Sequence, residues 1–358
     1  MNMTQTVLSR AGRWLWAGLL CLAVGCVTRS TPKQNFIFFP PPPNEPHLQY
    51  LTSFGSEASL GGAGNLVEFL TGRRPANRPL VKPYGVAVRE GKIYVCDTQL
   101  GLMEVADLAQ RKLSYFIPEG EAAFKQPINV ALDREGTRYV TDTSRSQVLI
   151  YGKDDRYLGA IGRPGEMRPS GVAVTDDRLL VSDLLHPAVR VYAKTNHNLL
   201  FTIPRQTNSD KGKLFAPTNL TVDQQGRIYV SDTGGFSVQI YDAEGQHLRS
   251  FGGIGVEYGQ FALPKGIGVD RAGRVYVVDA VTEVVQVFDS EGRLLTFFGD
   301  AKTSDRAACY LPAGLVLDYD HGKFFERWVA PGFKLEYLIF VTNQAGPNKV
   351  SVYGFVSK

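Results

Sequence analysis

The chain has 358 residues, 44% hydrophobic and 21% charged, the composition of a folded globular protein and not of a disordered one. Its formal net charge of +4 is too small to argue for nucleic-acid binding. Length alone would suggest two domains, but the internal repeat described below overrides that prior.

In chain order, the first segment reads as an export signal. Arg10 and Arg13 precede an apolar stretch, Trp14 to Val24, that falls short of the ~20 residues a membrane span needs. It ends in Leu22-Ala23-Val24-Gly25-Cys26, which resembles a bacterial lipobox and departs from the commonest form at Ala23. Cys21 is a poorer candidate, because bulky Leu20 precedes it. Residues 1–25 are therefore expected to be a lipoprotein signal peptide and Cys26 the lipidated residue. Two or three acyl chains there would hold the protein stably on a membrane. The implied location is the outer membrane, on its periplasmic or its surface face. Residues 26–46 are expected to form a tether, stiffened by Pro40-Pro41-Pro42-Pro43 in polyproline II form.

From residue 47 the chain repeats. Pro83-Tyr84-Gly85-Val86-Ala87-Val88 has counterparts beginning at Pro127, Pro169, Pro217, Pro264 and Pro312, about 45 residues apart, a period that marks a repeat architecture. A second apolar run in each unit ends in an acid: Asp97, Asp142, Asp183, Asp232, Asp279, and Asn343 in the sixth. A third run ends in an aromatic, as in Val238-Gln239-Ile240-Tyr241, and a fourth ends near Gly, as in Leu248-Arg249-Ser250-Phe251-Gly252. These short alternating runs, rich in β-branched and aromatic residues and bounded by Gly, Asp and Pro, are strands. Links such as Asp133-Arg134-Glu135-Gly136 are hairpin turns. Four strands in six units predict an all-β, six-bladed β-propeller over residues 47–358. The sixth unit runs out after three strands, and the spare strand from His47 to Gly55 fits the fourth-strand pattern. It is expected to complete blade 6 and close the ring.

The recurring Pro-x-Gly-Val-Ala-Val, Asp-x-x-Gly-x-x-Tyr-Val-x-Asp-Thr and Val-x-Val-Tyr resemble the NHL-repeat family of six-bladed propellers. Phe39-Pro40-Pro41-Pro42-Pro43 with His47-Leu48-Gln49-Tyr50-Leu51, an aromatic insertion in blade 6, and Tyr337 to Gln344 also resemble bacterial lipoproteins encoded beside multihaem cytochromes. That resemblance implies a role in exporting, assembling or docking extracellular electron-transfer proteins, with such a protein as partner.

Two irregular segments interrupt the repeat. Residues 56–82 include a short helical turn from Asn65 to Gly72 and the basic residues Arg73, Arg74, Arg78 and Lys82. Residues 318–338 are unusually aromatic for a loop, with Phe324, Phe325, Trp328 and Phe333, and either cover the blade 6 edge or form a contact patch. Cys96 and Cys309 fall on neighbouring blades near the closure, where export would permit a disulfide; the alternative is two separate buried thiols.

For chemistry, only His186 of five histidines falls in a second-to-third-strand loop, so no three-histidine metal site can form. The aspartates recur in every blade, as residues that satisfy a turn would and a catalytic residue would not. The non-repeating rim residues Tyr84, Asn129, Arg145, His186, Asn219 and Lys265 are the candidates for ligand contact. With no convergent catalytic constellation and no cofactor motif, the expectation is a non-enzymatic, lipid-anchored protein-binding scaffold. The alternatives are a channel-centred hydrolase or lyase, with Ca²⁺ held by carboxylates and Asn129 or Asn219, and a carbohydrate- or peptidoglycan-binding module using Trp328 and Phe333.

Overall fold

The computed structural model describes residues 35–60, 78–205 and 211–358. The expected signal peptide, Cys26 and the helical turn expected from Asn65 to Gly72 lie outside the described residues. Residues Phe36–Lys358 form one compact unit.

It opens with β1 (Ile37–Phe39) and β2 (Leu48–Phe54). Blade 1 follows as β3 (Pro83–Arg89), β4 (Lys92–Asp97), β5 (Leu102–Asp107) and β6 (Lys112–Phe116). Blade 2 is β7 (Pro127–Leu132), β8 (Arg138–Asp142), β9 (Gln147–Tyr151) and β10 (Tyr157–Ile161). Blade 3 is β11 (Pro169–Val174), β12 (Arg178–Asp183), β13 (Ala188–Ala193) and β14 (Leu199–Ile203). Blade 4 is β15 (Pro217–Val222), β16 (Ile228–Asp232), β17 (Ser237–Tyr241) and β18 (His247–Gly252). Blade 5 is β19 (Pro264–Val269), β20 (Val275–Asp279), β21 (Val284–Phe288) and β22 (Leu294–Phe298). Blade 6 holds β23 (Pro312–Asp318), β24 (Lys334–Asn343) and β25 (Val350–Ser357), and β2 pairs with β25. The six-bladed propeller and its closure by the N-terminal strand are thus as the repeats predict.

Blade 6 carries a fifth strand, because β1 pairs with β2 from Ile37↔Tyr50 to Phe39↔Leu48. The expected tether therefore ends earlier than residue 46, and Pro40 to Pro46 link the two strands. The reason is the apolar run Ile37-Phe38-Phe39, which supplies a strand with a face to bury. Phe39 is 2% exposed and packs against Phe298 and Tyr353.

The core is a ring of six clusters, one between each pair of adjacent blades. Strand periodicity decides which residue serves which cluster. Ile93 and Val95 of β4 face blade 6, while Cys96 faces blade 2 with Met103, Val130 and Val140. Cys309 packs in the cluster between blades 5 and 6. Both cysteines are buried free thiols, so of the two alternatives the disulfide is not formed and the separate buried thiols are. Cys96 points away from the closure seam because alternate residues of a strand face opposite blades.

The insertion at 318–338 covers the seam. It forms two 3₁₀ turns, Gly322–Phe324 and Glu326–Trp328, and its last five residues already belong to β24. Phe325 is buried against Phe340, whereas Phe324, Trp328 and Phe333 are half-buried. Gln49 clamps the turn from β2: its Nε2 donates to Trp328 O at 2.7 Å and its Oε1 accepts from Ala330 N at 3.0 Å. On the blade 1 side, Gly91 N donates to His321 Nε2 at 2.7 Å, and His321 Nδ1 lies 2.8 Å from Asp318. Phe333 packs on Phe38, and the Arg327 guanidinium lies 3.9 Å from the Trp328 ring centre. An open aromatic contact platform is therefore replaced by packing. In the described part of residues 56–82, Arg78 donates to Leu113 O and lies over Tyr115, while Lys82 is exposed.

Candidate active site at the channel mouth

Every first strand shifts register at its Pro-x-Gly/Asn motif: between Pro83/Val86, Pro127/Asn129, Pro169/Val172, Pro217/Asn219, Pro264/Ile267 and Pro312/Leu315. Such bulges bend a strand and re-aim side chains. They lie at the end of the channel where the inner strands begin, beside the turns that follow each repeated aspartate.

Those aspartates hold the mouth together. Asp97 accepts from the backbone N–H groups of Val81, Lys82, Gln99 and Leu100. Asp279 does the same for Ala262, Leu263, Val281 and Thr282, and Asn343 Oδ1 accepts from Tyr310 N. Burial pushes the Asp183 carboxyl up, but N–H donors from Arg168 and Leu185 and the Arg190 guanidinium outweigh it and hold it below the ordinary value.

A second device links blades. The residue before the aspartate carries a hydroxyl in four blades and donates to the carbonyl at the motif's second position in the next blade. Thr141 reaches Ser170 O at 2.7 Å, Ser182 reaches Thr218 O at 3.4 Å, Ser231 reaches Lys265 O at 2.5 Å and Thr342 reaches Tyr84 O at 2.5 Å. Cys96 and Val278 take this place in blades 1 and 5. The inner strands lie so close that a Cβ on Gly171 would stand 2.7 Å from the Asn219 Cα, and one on Gly266 2.7 Å from Ala313 O. Glycine at these motifs is a requirement of close backbone approach.

Four of the six rim candidates converge. Asn129 Nδ2 of blade 2 donates to Asn219 Oδ1 of blade 4 at 2.6 Å, spanning the channel. Below this bridge lies a cavity of ≈ 220 Å³ whose walls include Val86, Val130, Val172, Leu220, Ile267 and Leu315. Asn219 is 6% exposed, and its Nδ2 has no hydrogen-bond partner. It also interacts with the Tyr84 hydroxyl, although that pair falls short of hydrogen-bond geometry. Burial raises the Tyr84 pKa above its ordinary value, with Asn219 opposing. The Lys265 ammonium stands 5.4 Å from the Tyr84 ring centre. Burial, then repulsion from Lys82, lowers the Lys265 pKa.

Arg145 and His186 are not part of this cluster. Arg145 spends its guanidinium on Glu121 O, Ala123 O and Gln147 Oε1. His186 is exposed, 3.4 Å from Asp183 Oδ2. Two features have no counterpart among the sequence candidates. Glu104 is fully buried with neither carboxylate oxygen partnered, and the buried Asp270–Arg274–Tyr337–Tyr276 network joins blades 5 and 6 at the other end. Only an acid in the otherwise apolar Leu102-Met103-Glu104-Val105-Ala106 marks Glu104 in the sequence.

A calcium ion held by carboxylates does not fit this donor set. No group of three His, Cys, Asp or Glu side chains is placed to hold a metal among the described residues, and the Asn219 side-chain oxygen is already taken by Asn129.

No protein-family model matches the chain. One curated relative, a gluconolactonase of Zymomonas mobilis, is 24% identical over 236 residues, 59% of this chain. The chain is similar to a protein named as an enzyme. The match spans 65% of that relative's length. Among solved structures, a gluconolactonase from Xanthomonas campestris aligns with TM-score 0.55 at 16% identity, covering 86% of this chain and 88% of its own. A protein of unknown function from Bacteroides thetaiotaomicron aligns with TM-score 0.60 at 15% identity, covering 87% and 76%. A virginiamycin B lyase from Staphylococcus aureus aligns with TM-score 0.50 at 11% identity, covering 76% and 84%. These structures share the fold. The curated relative carries an enzyme name, so the expectation of a non-enzymatic propeller is corrected: the sequence similarity points to an enzymatic propeller.

Proposed function

We propose that the chain is a hydrolase or lyase acting on a small carbonyl compound, such as a lactone or ester, at the mouth formed by Tyr84, Asn129, Asn219 and Lys265. The observation that carries this reading is the Asn219 amide: a buried N–H donor that no group meets in hydrogen-bond geometry, facing the hydroxyl of a half-buried tyrosine beside a half-buried lysine. A donor already fixed and dry is what stabilises negative charge developing on a carbonyl oxygen.

In hydrolysis, the Lys265 amine takes a proton from water as the water oxygen bonds to the carbonyl carbon. The oxyanion formed accepts a hydrogen bond from Asn219 Nδ2, whose orientation the Asn129 bridge holds. As the carbonyl re-forms, the bond to the leaving oxygen breaks and that oxygen takes the Tyr84 proton. Lys265 then returns its proton to Tyr84, which restores the site. Burial serves both roles, because it lowers the lysine pKa and keeps the phenol protonated.

The test is ester and lactone hydrolysis by the purified protein, followed by pH-stat. Asn219→Ala should lower kcat by about 10²-fold, and Lys265→Met by about 10²-fold or more, with the thermal midpoint retained. No turnover above the buffer rate across the panel, or an Asn219→Ala variant as active as wild type, would sink the proposal. Export as a lipoprotein through Cys26 belongs to the same reading and rests on the lipobox. Radiolabelled palmitate should be incorporated by the wild type and not by Cys26→Ala.

A further inference from the structure

We infer that the channel mouth is a receptor for a small carboxylate, held by Lys82, the protonated form of Lys265 and the Asn219 amide in place of the reacting carbonyl, so that the carboxylic acid released by hydrolysis is bound there as its anion. This rests on the reading of the mouth as a reaction site and adds the class of product and competing ligand.

Three observations carry it. First, the mouth holds two ammonium groups without counter-ions: neither Lys265 nor Lys82 lies within ion-pairing distance of any carboxylate among the described residues. The acids closest to the mouth are otherwise engaged. Asp97 and Asp279 spend their oxygens on backbone N–H groups, and Glu283 Oε1 accepts from Leu311 N at 2.8 Å. Second, a further ammonium stands behind Lys82: Lys349 Nζ donates to the carbonyls of Val81 and Gln344. Like charges gathered in a concave, partly dry site raise the local potential for an anion. Third, the Asn219 amide supplies a buried donor that faces the Tyr84 hydroxyl without reaching hydrogen-bond geometry. Its neighbours Tyr84 and Lys265 are also donors, and the one amide acceptor facing Asn129 is taken. A site rich in donors, poor in acceptors and with two ammonium groups outside ion-pairing distance of the protein's carboxylates recognises a carboxylate, because each donor strengthens when its acceptor is ionised.

The test is calorimetric titration of the full chain with succinate and with its neutral isostere succinamide, at low salt and at 0.5 M NaCl. Succinate should bind, succinamide should not, and high salt should weaken succinate by about tenfold or more. Lys265→Met should weaken it by about tenfold and Lys82→Met by about threefold, given that 1.4 kcal/mol is tenfold. Lys334→Met, an exposed lysine paired with Glu336, should leave it unchanged. Equal binding of succinate and succinamide, or salt-independent binding, overturns the inference. The salt arm uses wild-type protein, so it decides even where Lys265→Met does not fold. Succinate binding without any lactone or ester turnover would remove the catalytic proposal and leave the receptor. Turnover of neutral lactones that succinate neither binds to nor competes with would do the reverse.

Discussion

The Thr342 hydroxyl of blade 6 donates to the Tyr84 carbonyl of blade 1 at 2.5 Å and accepts from Gly314 N at 2.8 Å. One buried side chain thus ties the last inner strand to the first and seats the residue that carries the Tyr84 ring. Thr342→Val keeps the shape and removes both bonds, leaving a buried carbonyl and a buried N–H unpaired. We expect a loss of about 1–3 kcal/mol in chemical denaturation, and a fall in kcat in the same variant if Tyr84 acts as proposed. A variant as stable as wild type would show that the seam is held elsewhere.

Close backbone approach makes a second prediction. A Cβ on Gly314 would collide with the Tyr84 carbonyl, a backbone atom that cannot swing away. Gly314→Ala should therefore cost on the order of 3 kcal/mol. Gly120→Ala, where a Cβ meets nothing within 4 Å, should cost less in the same assay even though its φ is +62°. If the two cost the same, the inner strands are less tightly apposed than described.

Glu104 sets a pH dependence. Burial, with the Asp97 charge adding and Lys349 opposing, pushes its pKa from 4.5 to about 9. The folded state therefore binds a proton that the unfolded state releases between these values. The sign follows: Glu104 costs nothing below about pH 4.5, and stability falls as pH rises toward 9, by about 1.4 kcal/mol per pH unit from this group alone. Glu104→Gln should be more stable than wild type at pH 8 and the two should converge near pH 4.5, read from urea midpoints. A difference that grows toward acid pH would contradict this account.

Buried free thiols make the last prediction. Burial raises both Cys96 and Cys309, the latter to about 12 with the Tyr353 hydroxyl opposing. Native protein should leave both unreacted with a thiol reagent over minutes, and unfolded, unreduced protein should titrate both at once. A mass two units lower without reduction, localised to this pair, would restore the disulfide.

The repeat made the architecture legible because a strand period of two and a Pro-Gly punctuation are local properties, copied six times. The same regularity explained the aspartates, whose partners are backbone groups within the same blade. The candidates drawn from breaks in the repeat proved unequal. Tyr84, Asn129, Asn219 and Lys265 share the bulged motif and meet at the mouth. Arg145 and His186 sit one turn outward, where backbone carbonyls and Asp183 absorb them. The difference was local: the four lie in the bulged first-strand motif, whereas Arg145 and His186 lie in the turn that follows the repeated aspartate.

The amino-acid sequence by itself determined the six blades, the strand that closes them, and the turn role of the aspartates, since each follows from spacing and side-chain alternation. Only the tertiary structure decided that Cys96 and Cys309 face different cores, that the aromatic insertion clamps the seam, and that two asparagines ninety residues apart share a hydrogen bond. Those outcomes depend on which faces the closed ring brings together, and ring closure is a property of all six repeats at once.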